Sequence, residues 1–250
     1  MKIVFDTTDQ RIAIAYEHFK ENGKKVVKYS ENLIENGDIC VFSPAKKWGK
    51  DEISRLHTDI TIIAGAINDE QKVLLDSMRI KYINLLDDEA FAIQNANLTA
   101  EGVLAILLQE TDRSMYEHRI LIVGVGRIGK ALAILFGRLG LDFTLGSFSD
   151  KDKIQGNFYL CPCEPKGEFL NHLKKYDVII NTIPNVVFDE NNLERISQDA
   201  IVIETASKNC IEDVNNLAFR YILAPKLPQK YCLRTASSLV ISKIEEVLDD

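Results

Sequence analysis

Gly124, Gly126 and Gly129 are spaced G-x-G-x-x-G between a four-residue apolar run, Ile120 to Val123, and a helical pattern, a combination suited to holding a pyrophosphate. The first glycine lets the chain turn tightly out of a strand, the second lets the backbone approach the ligand, and the third lets the helix press on the sheet. Ile128, Ala131, Leu132, Leu135, Phe136 and Leu139 then fall on one helical face, and Gly140 can end the helix. Free N–H groups and the positive end of the helix dipole would face whatever lies over the glycines, with Arg127 and Ile128 in the first turn. The chemistry this predicts is binding of a dinucleotide, NADP or NAD; the open alternative is a turn kept for packing alone.

Other strand ends carry small polar groups. The next strand ends at Gly146-Ser147-Phe148-Ser149, where an acid would hold the ribose of NAD and repel the extra phosphate of NADP. No acid stands at that tip. Ser147 and Ser149 can hydrogen-bond a phosphate and Lys151 or Lys153 can neutralise it, so the expectation leans slightly to NADP, with solvated lysines as the alternative. Asn181, Thr182, Ile183 and Pro184 follow another apolar strand and would flank a nicotinamide ring. Glu204-Thr205-Ala206-Ser207-Lys208 follows the next, with Glu204 a possible base and Lys208 a possible carboxylate binder. The histidines, His18, His57, His118 and His172, sit in or beside helices and strands where packing explains them. Five scattered cysteines are expected as free thiols and no metal site is expected, since Cys161-Pro162-Cys163 has no histidine close by to complete a zinc set.

The elements that position these groups alternate. Strands are expected at 2–5, 39–42, 60–64 and 81–85 with helices at 9–22, 50–57 and 69–78, and then strands at 119–123, 142–146, 158–161, 177–181, 200–204 and 220–224. Such alternation predicts an α/β protein with two Rossmann-like lobes, each with a parallel sheet, joined by helical crossings around an interdomain cleft. The expected division is an N-terminal α/β domain over 1–97, a linking helix at 98–117, an NAD(P)-binding domain over 118–234, and a C-terminal helix, 235–250, returning to the first domain. The linking helix is read over Leu98 to Tyr116 and the last one over Ala236 to Leu248. With 30 Lys and Arg against 37 Asp and Glu, the net charge of −7 argues against nucleic acid. No apolar run approaches 20 residues and none opens the chain, so a cytoplasmic protein without membrane contact is expected.

Read together and in order, the motifs resemble one family, the A subunit of bacterial dipicolinate synthase, similar in architecture to formate and glycerate dehydrogenases. Thr7-Thr8-Asp9-Gln10-Arg11 resembles its Gly-Gly-Asp-x-Arg turn, and Asn95 to Gly102 its Asn-Ser-x-Pro-Thr-x-Glu-Gly. Asp177 to Pro184, Ala206-Ser207, Leu223 to Pro228 and Thr235-Ala236 follow its later motifs. Departures fall at Thr7 and Thr8, at Phe148 in place of an arginine, and at Lys208-Asn209-Cys210-Ile211 and Gln229 in place of glycine-containing loops. The resemblance implies NAD(P)-linked oxidation of a cyclic dicarboxylate of the lysine pathway to dipicolinate in spore-forming bacteria, beside a flavoprotein-like B subunit. It makes Asp9, Asn95 and Thr99 substrate-binding candidates, Arg11 and Lys208 carboxylate clamps, and Glu101 the proton-handling group. A homo-oligomer is also expected. The alternatives are a non-catalytic protein that binds nucleotide or serves as a scaffold, or a dehydrogenase of another small carboxylic acid.

Overall fold

The computed structural model describes residues 1–30, 34–43 and 59–249 and, within them, all side chains but those of Lys153 and Gln155; the helix expected at 50–57, with His57, lies outside the described residues. In chain order the elements are β1 (Ile3–Phe5), α1 (Gln10–Glu21), β2 (Val26–Lys28), β3 (Ile39–Phe42), β4 (Thr61–Ala64), α2 (Asp69–Ser77), β5 (Lys81–Asn84) and α3 (Glu89–Glu110). There follow β6 (Ile120–Val123), α4 (Arg127–Leu139), β7 (Phe143–Gly146), α5 (Lys153–Tyr159), β8 (Cys163–Glu164), β9 (Val178–Asn181), α6 (Glu190–Leu193), β10 (Ile201–Glu204), β11 (Arg220–Leu223), α7 (Leu227–Tyr231) and α8 (Leu233–Asp249). They form two compact units: Met1–Ala92 with Cys232–Asp250, and Ile93–Tyr231.

The first unit holds a five-stranded sheet in the order β2-β1-β3-β4-β5, every pair parallel. Its inner strands β1, β3 and β4 are apolar on both faces, as a parallel sheet covered on both sides requires. The two-residue period sends Ile3, Phe5, Ile39 and Val41 to one face, where they pack with Phe19 of α1 and Val240 and Ile244 of α8. Val4, Cys40, Phe42 and Ile62 turn to the other, against Leu75 of α2.

The second unit holds six strands in the order β11-β10-β9-β6-β7-β8, again all parallel. Numbered from β6, that is the doubly wound order whose direction reverses between β6 and β9, the switch point at which such sheets bind ligands. Ile120, Ile122, Val178 and Ile180 face a core completed by Leu132 and Phe136 of α4 and by Ala100, Val103 and Leu107 of α3. Leu121, Val123 and Ile179 face the opposite core, closed by Phe169, Leu173 and Phe188.

Three expectations need correction. Residues 158–161 form no strand: α5 occupies 153–159, Leu160 breaks it in the left-handed region (φ 54°), and the edge strand is the two-residue β8. The short edge strand β2 has no expected counterpart, because its three residues lie among lysines. The long helix starts at Glu89 rather than Leu98, where the Asp88 carboxylate accepts the Phe91 N–H (2.8 Å), and ends at Glu110, before a single tight turn at Met115–Glu117. This helix is long and apolar enough to cross a bilayer by length and composition, but Ala96, Ala100, Val103, Ile106 and Leu107 spend its apolar positions on a core.

One buried histidine stands apart. His118, just before β6, is 6% exposed and neither ring nitrogen has a hydrogen-bond partner among the described residues. Burial and the nearby Arg113 pull its pKa below the ordinary 6.5.

Candidate dinucleotide-binding site

The glycine turn is built where the motif predicts, and its three glycines are there for different reasons. Gly124 follows β6 with φ +102°, and a Cβ on it would lie 2.5 Å from Thr182 Oγ1 and 2.8 Å from Ile183 Cγ1. A Cβ on Gly129 would land on the Gly124 carbonyl oxygen. Packing alone therefore demands both. Gly126 is different: its φ of −75° suits any residue, and a Cβ there would meet nothing within 4 Å among the described residues. The space above Gly126 is what close approach of a pyrophosphate needs. Gly126 also caps α4 without a side-chain bond, and the first turn of α4 has no acid.

Two strand ends support the turn from beside it. Thr182 Oγ1 donates to the Val123 carbonyl (2.8 Å), tying the β9 loop to the end of β6. Asn181 Nδ2 donates to the Ile183 carbonyl (2.8 Å) and to Glu204 Oε1 (2.9 Å). Glu204, 2% exposed, also accepts the N–H groups of Ala206 (2.8 Å) and Cys210 (2.7 Å). Burial and the Glu204 charge push the Cys210 thiol up, and burial with these two neighbours does the same to the Tyr221 phenol. Glu204 is thus the internal anchor of the loop carrying Ala206 and Ser207, and its hydrogen bonds displace the role of base considered for it. Nothing short-range in the sequence announces this lock, because Asn181 and Glu204 meet only through the register of β9 and β10.

At the tip of β7 the expectation of no acid fails. Ser147 is 3% exposed and its hydroxyl donates to the carboxylate of Asp152, while accepting the Ser149 N–H (3.0 Å). Phe148 is half exposed and meets Phe169 edge to face at 5.3 Å. Lys151 is exposed, and the side chain of Lys153 lies outside the described residues.

The substrate-side candidates are divided between the units. In the first, Asp9 caps α1 by accepting the Arg11 N–H (2.9 Å) and pairs with the Arg11 guanidinium through two bonds of 3.0 and 2.7 Å. In the second, the Thr99 hydroxyl donates to the Asn95 carbonyl one turn back on α3 (2.8 Å), Glu101 is exposed, and Gly102 beside it lets Leu227 of α7 close in. Lys208 is exposed on the loop anchored by Glu204.

No family model matches the chain. A curated protein, the dipicolinate synthase A subunit of Bacillus subtilis (strain 168), is 24% identical over 203 residues, covering 80% of this chain and 68% of that one. The chain is similar to the dipicolinate synthase A subunit. The crystal structure of the corresponding A subunit from Bacillus halodurans, 18% identical, superimposes with a TM-score of 0.87 over 100% of this chain and 98% of its own. An NAD-dependent formate dehydrogenase from Staphylococcus aureus, solved with NAD, is 14% identical with a TM-score of 0.64 over 100% and 95%. The two-sheet Rossmann-like architecture shared by the dipicolinate synthase A subunit with such dehydrogenases is therefore the fold of this chain.

Proposed function

We propose that the chain is a nicotinamide-dinucleotide-dependent oxidoreductase of the dipicolinate synthase type. It acts on a small cyclic dicarboxylate of the lysine pathway to yield dipicolinate, in the cytoplasm and in partnership with a flavoprotein-like B subunit. The observation that carries the reading is the open space over Gly126, between two glycines that packing already requires. Packing does not require the middle glycine, and a ligand approaching the backbone there would. The bound nicotinamide would supply the hydride acceptor. The leading N–H groups of α4 would bind the pyrophosphate, and Asn181 to Pro184, locked to β6 and Glu204, would orient the ring. Lys208 would hold a substrate carboxylate, Asn95 and Thr99 would line the substrate side, and Glu101 would take the proton released as the ring is oxidised. Arg11, the second clamp that the resemblance implies, has its guanidinium engaged by Asp9.

That pairing is the observation favouring a second reading, a nucleotide-binding protein without turnover. A turnover assay with the cyclic dicarboxylate and NAD or NADP, with and without the B subunit, separates the two. Wild type should turn over, and Lys208→Ala should raise KM about tenfold or more, roughly the loss of one charged contact. Dinucleotide binding without turnover in either condition would favour the second reading.

A further inference from the structure

We infer that Asp152 makes the ribose end of this site select NAD(H) over NADP(H), an inference that rests on the dinucleotide reading above. β7 pairs with β6 so that Gly146 stands opposite Val123, and the Gly124 N–H donates to the Gly146 carbonyl (2.8 Å). Ser147, the first residue beyond β7, therefore borders the glycine turn. In sheets of this order the tip of that strand faces the ribose bearing the 2′ position.

The acid reaches this tip from the start of α5 rather than along the strand. Its carboxylate accepts the hydroxyl of buried Ser147, its N–H donates to the Ser149 carbonyl (3.3 Å), and its carbonyl accepts from Cys163 Sγ on β8 (3.3 Å). Two backbone contacts thus hold Asp152 beside the tip and one side-chain bond aims its carboxylate at Ser147, where a ribose hydroxyl could donate to it and a 2′-phosphate would meet like charge. Two of the lysines nearby do not reverse this, the Lys153 side chain lying outside the described residues. Lys166 is held by Asp150 (2.8 Å), and Lys151 extends into solvent. Phe148 presents an aromatic ring, which can stack on adenine but donates nothing to a phosphate. The slight leaning to NADP read from the bare Gly146-Ser147-Phe148-Ser149 run is accordingly reversed.

The test is calorimetric titration of NAD and NADP into wild type, Asp152→Asn and Ser147→Ala, with the unfolding midpoint of each recorded. Wild type should bind NAD about tenfold or more tightly than NADP, a gap of about 1.4 kcal/mol. Asp152→Asn should gain NADP affinity while losing some NAD affinity, and Ser147→Ala, which releases the carboxylate, should weaken NAD without improving NADP. Equal binding, or tighter NADP binding, by wild type would overturn the inference whether or not the variants fold. So would an equal loss of both dinucleotides in folded Asp152→Asn, which marks a structural role. Binding of neither dinucleotide by wild type would instead sink the proposed function, and this inference with it.

Discussion

The two units end their first strands in opposite ways. After β1 the chain fills its own turn: Asp6 accepts from the Thr8 N–H and hydroxyl (3.3 and 2.7 Å) and from the Ser43 N–H (3.2 Å), and Asp9 caps α1 and pairs with Arg11. After β6 the turn has no polar side chain, and the cap of α4 makes no side-chain bond. Both sheets are parallel and both turns lead from a buried strand into a helix. A helix N-terminus satisfied by a fixed carboxylate has little left to offer an anion, whereas one whose cap gives no side-chain bond has more to offer a ligand. The likeness of topology thus hides a difference: one tip is tied up by its own side chains, and the other, where the dinucleotide is proposed to bind, is not.

The comparison breaks most visibly at Gly129. Gly129→Val should destabilise the second unit by about 3 kcal/mol or more, because its side chain would have to displace the Gly124 carbonyl. Denaturant unfolding followed by a probe in that unit measures it, and a near-neutral result would mean that the turn is not closed as described. Next comes Asp9→Ala in the first unit, which loses a helix cap and leaves a mostly buried guanidinium without its carboxylate. A loss of about 2 kcal/mol is expected, and a change under about 0.5 kcal/mol would show that this turn does not hold itself together.

How much of this is legible in the sequence follows from the range of the forces involved. The inner strands of the second sheet are largely apolar runs, and the glycine turn and α4 are local patterns, so residues 120–140 can be read directly. The edge strands β5 and β11 can be read too, but β2 and β8 cannot. β2 and β8 bury little, and the stretch expected as a strand at 158–161 is the end of α5 because Gly156 allows the backbone of Cys161 and Cys163 to close against it. Asp152 escapes a reading of the strand tip although it lies only five positions after Ser147, since a turn and not an alternating pattern brings them together. The partner of Arg11 is two residues away and so is foreseeable; the Asn181 and Glu204 lock needs the register of two strands.

Smaller effects sharpen the picture. His118 has a folded pKa below its unfolded value, so above pH 6.5 both states are neutral and its contribution is complete. As pH falls below 6.5 the unfolded chain takes up the proton first, and stability drops until the folded pKa is passed. His118→Phe should flatten that part of the stability profile relative to wild type; identical slopes from about pH 7.5 to about pH 5.5 would refute the assignment. Smallest of all, Lys208→Ala should change stability by less than about 0.5 kcal/mol, since the side chain is exposed on a loop anchored elsewhere. A larger loss by thermal unfolding would give Lys208 a structural duty and weaken its claim as a clamp.

The most direct test of the bare turn as a binding site is Gly126→Val, with affinity for NAD and the unfolding midpoint measured on the same preparations. Dinucleotide binding should be lost while the midpoint stays within about 4 °C of wild type, the range of a change of about 1 kcal/mol, because the new side chain enters open space and gives up only the preference for glycine at a helix cap. Unchanged affinity in the folded variant would contradict a pyrophosphate seated over Gly126.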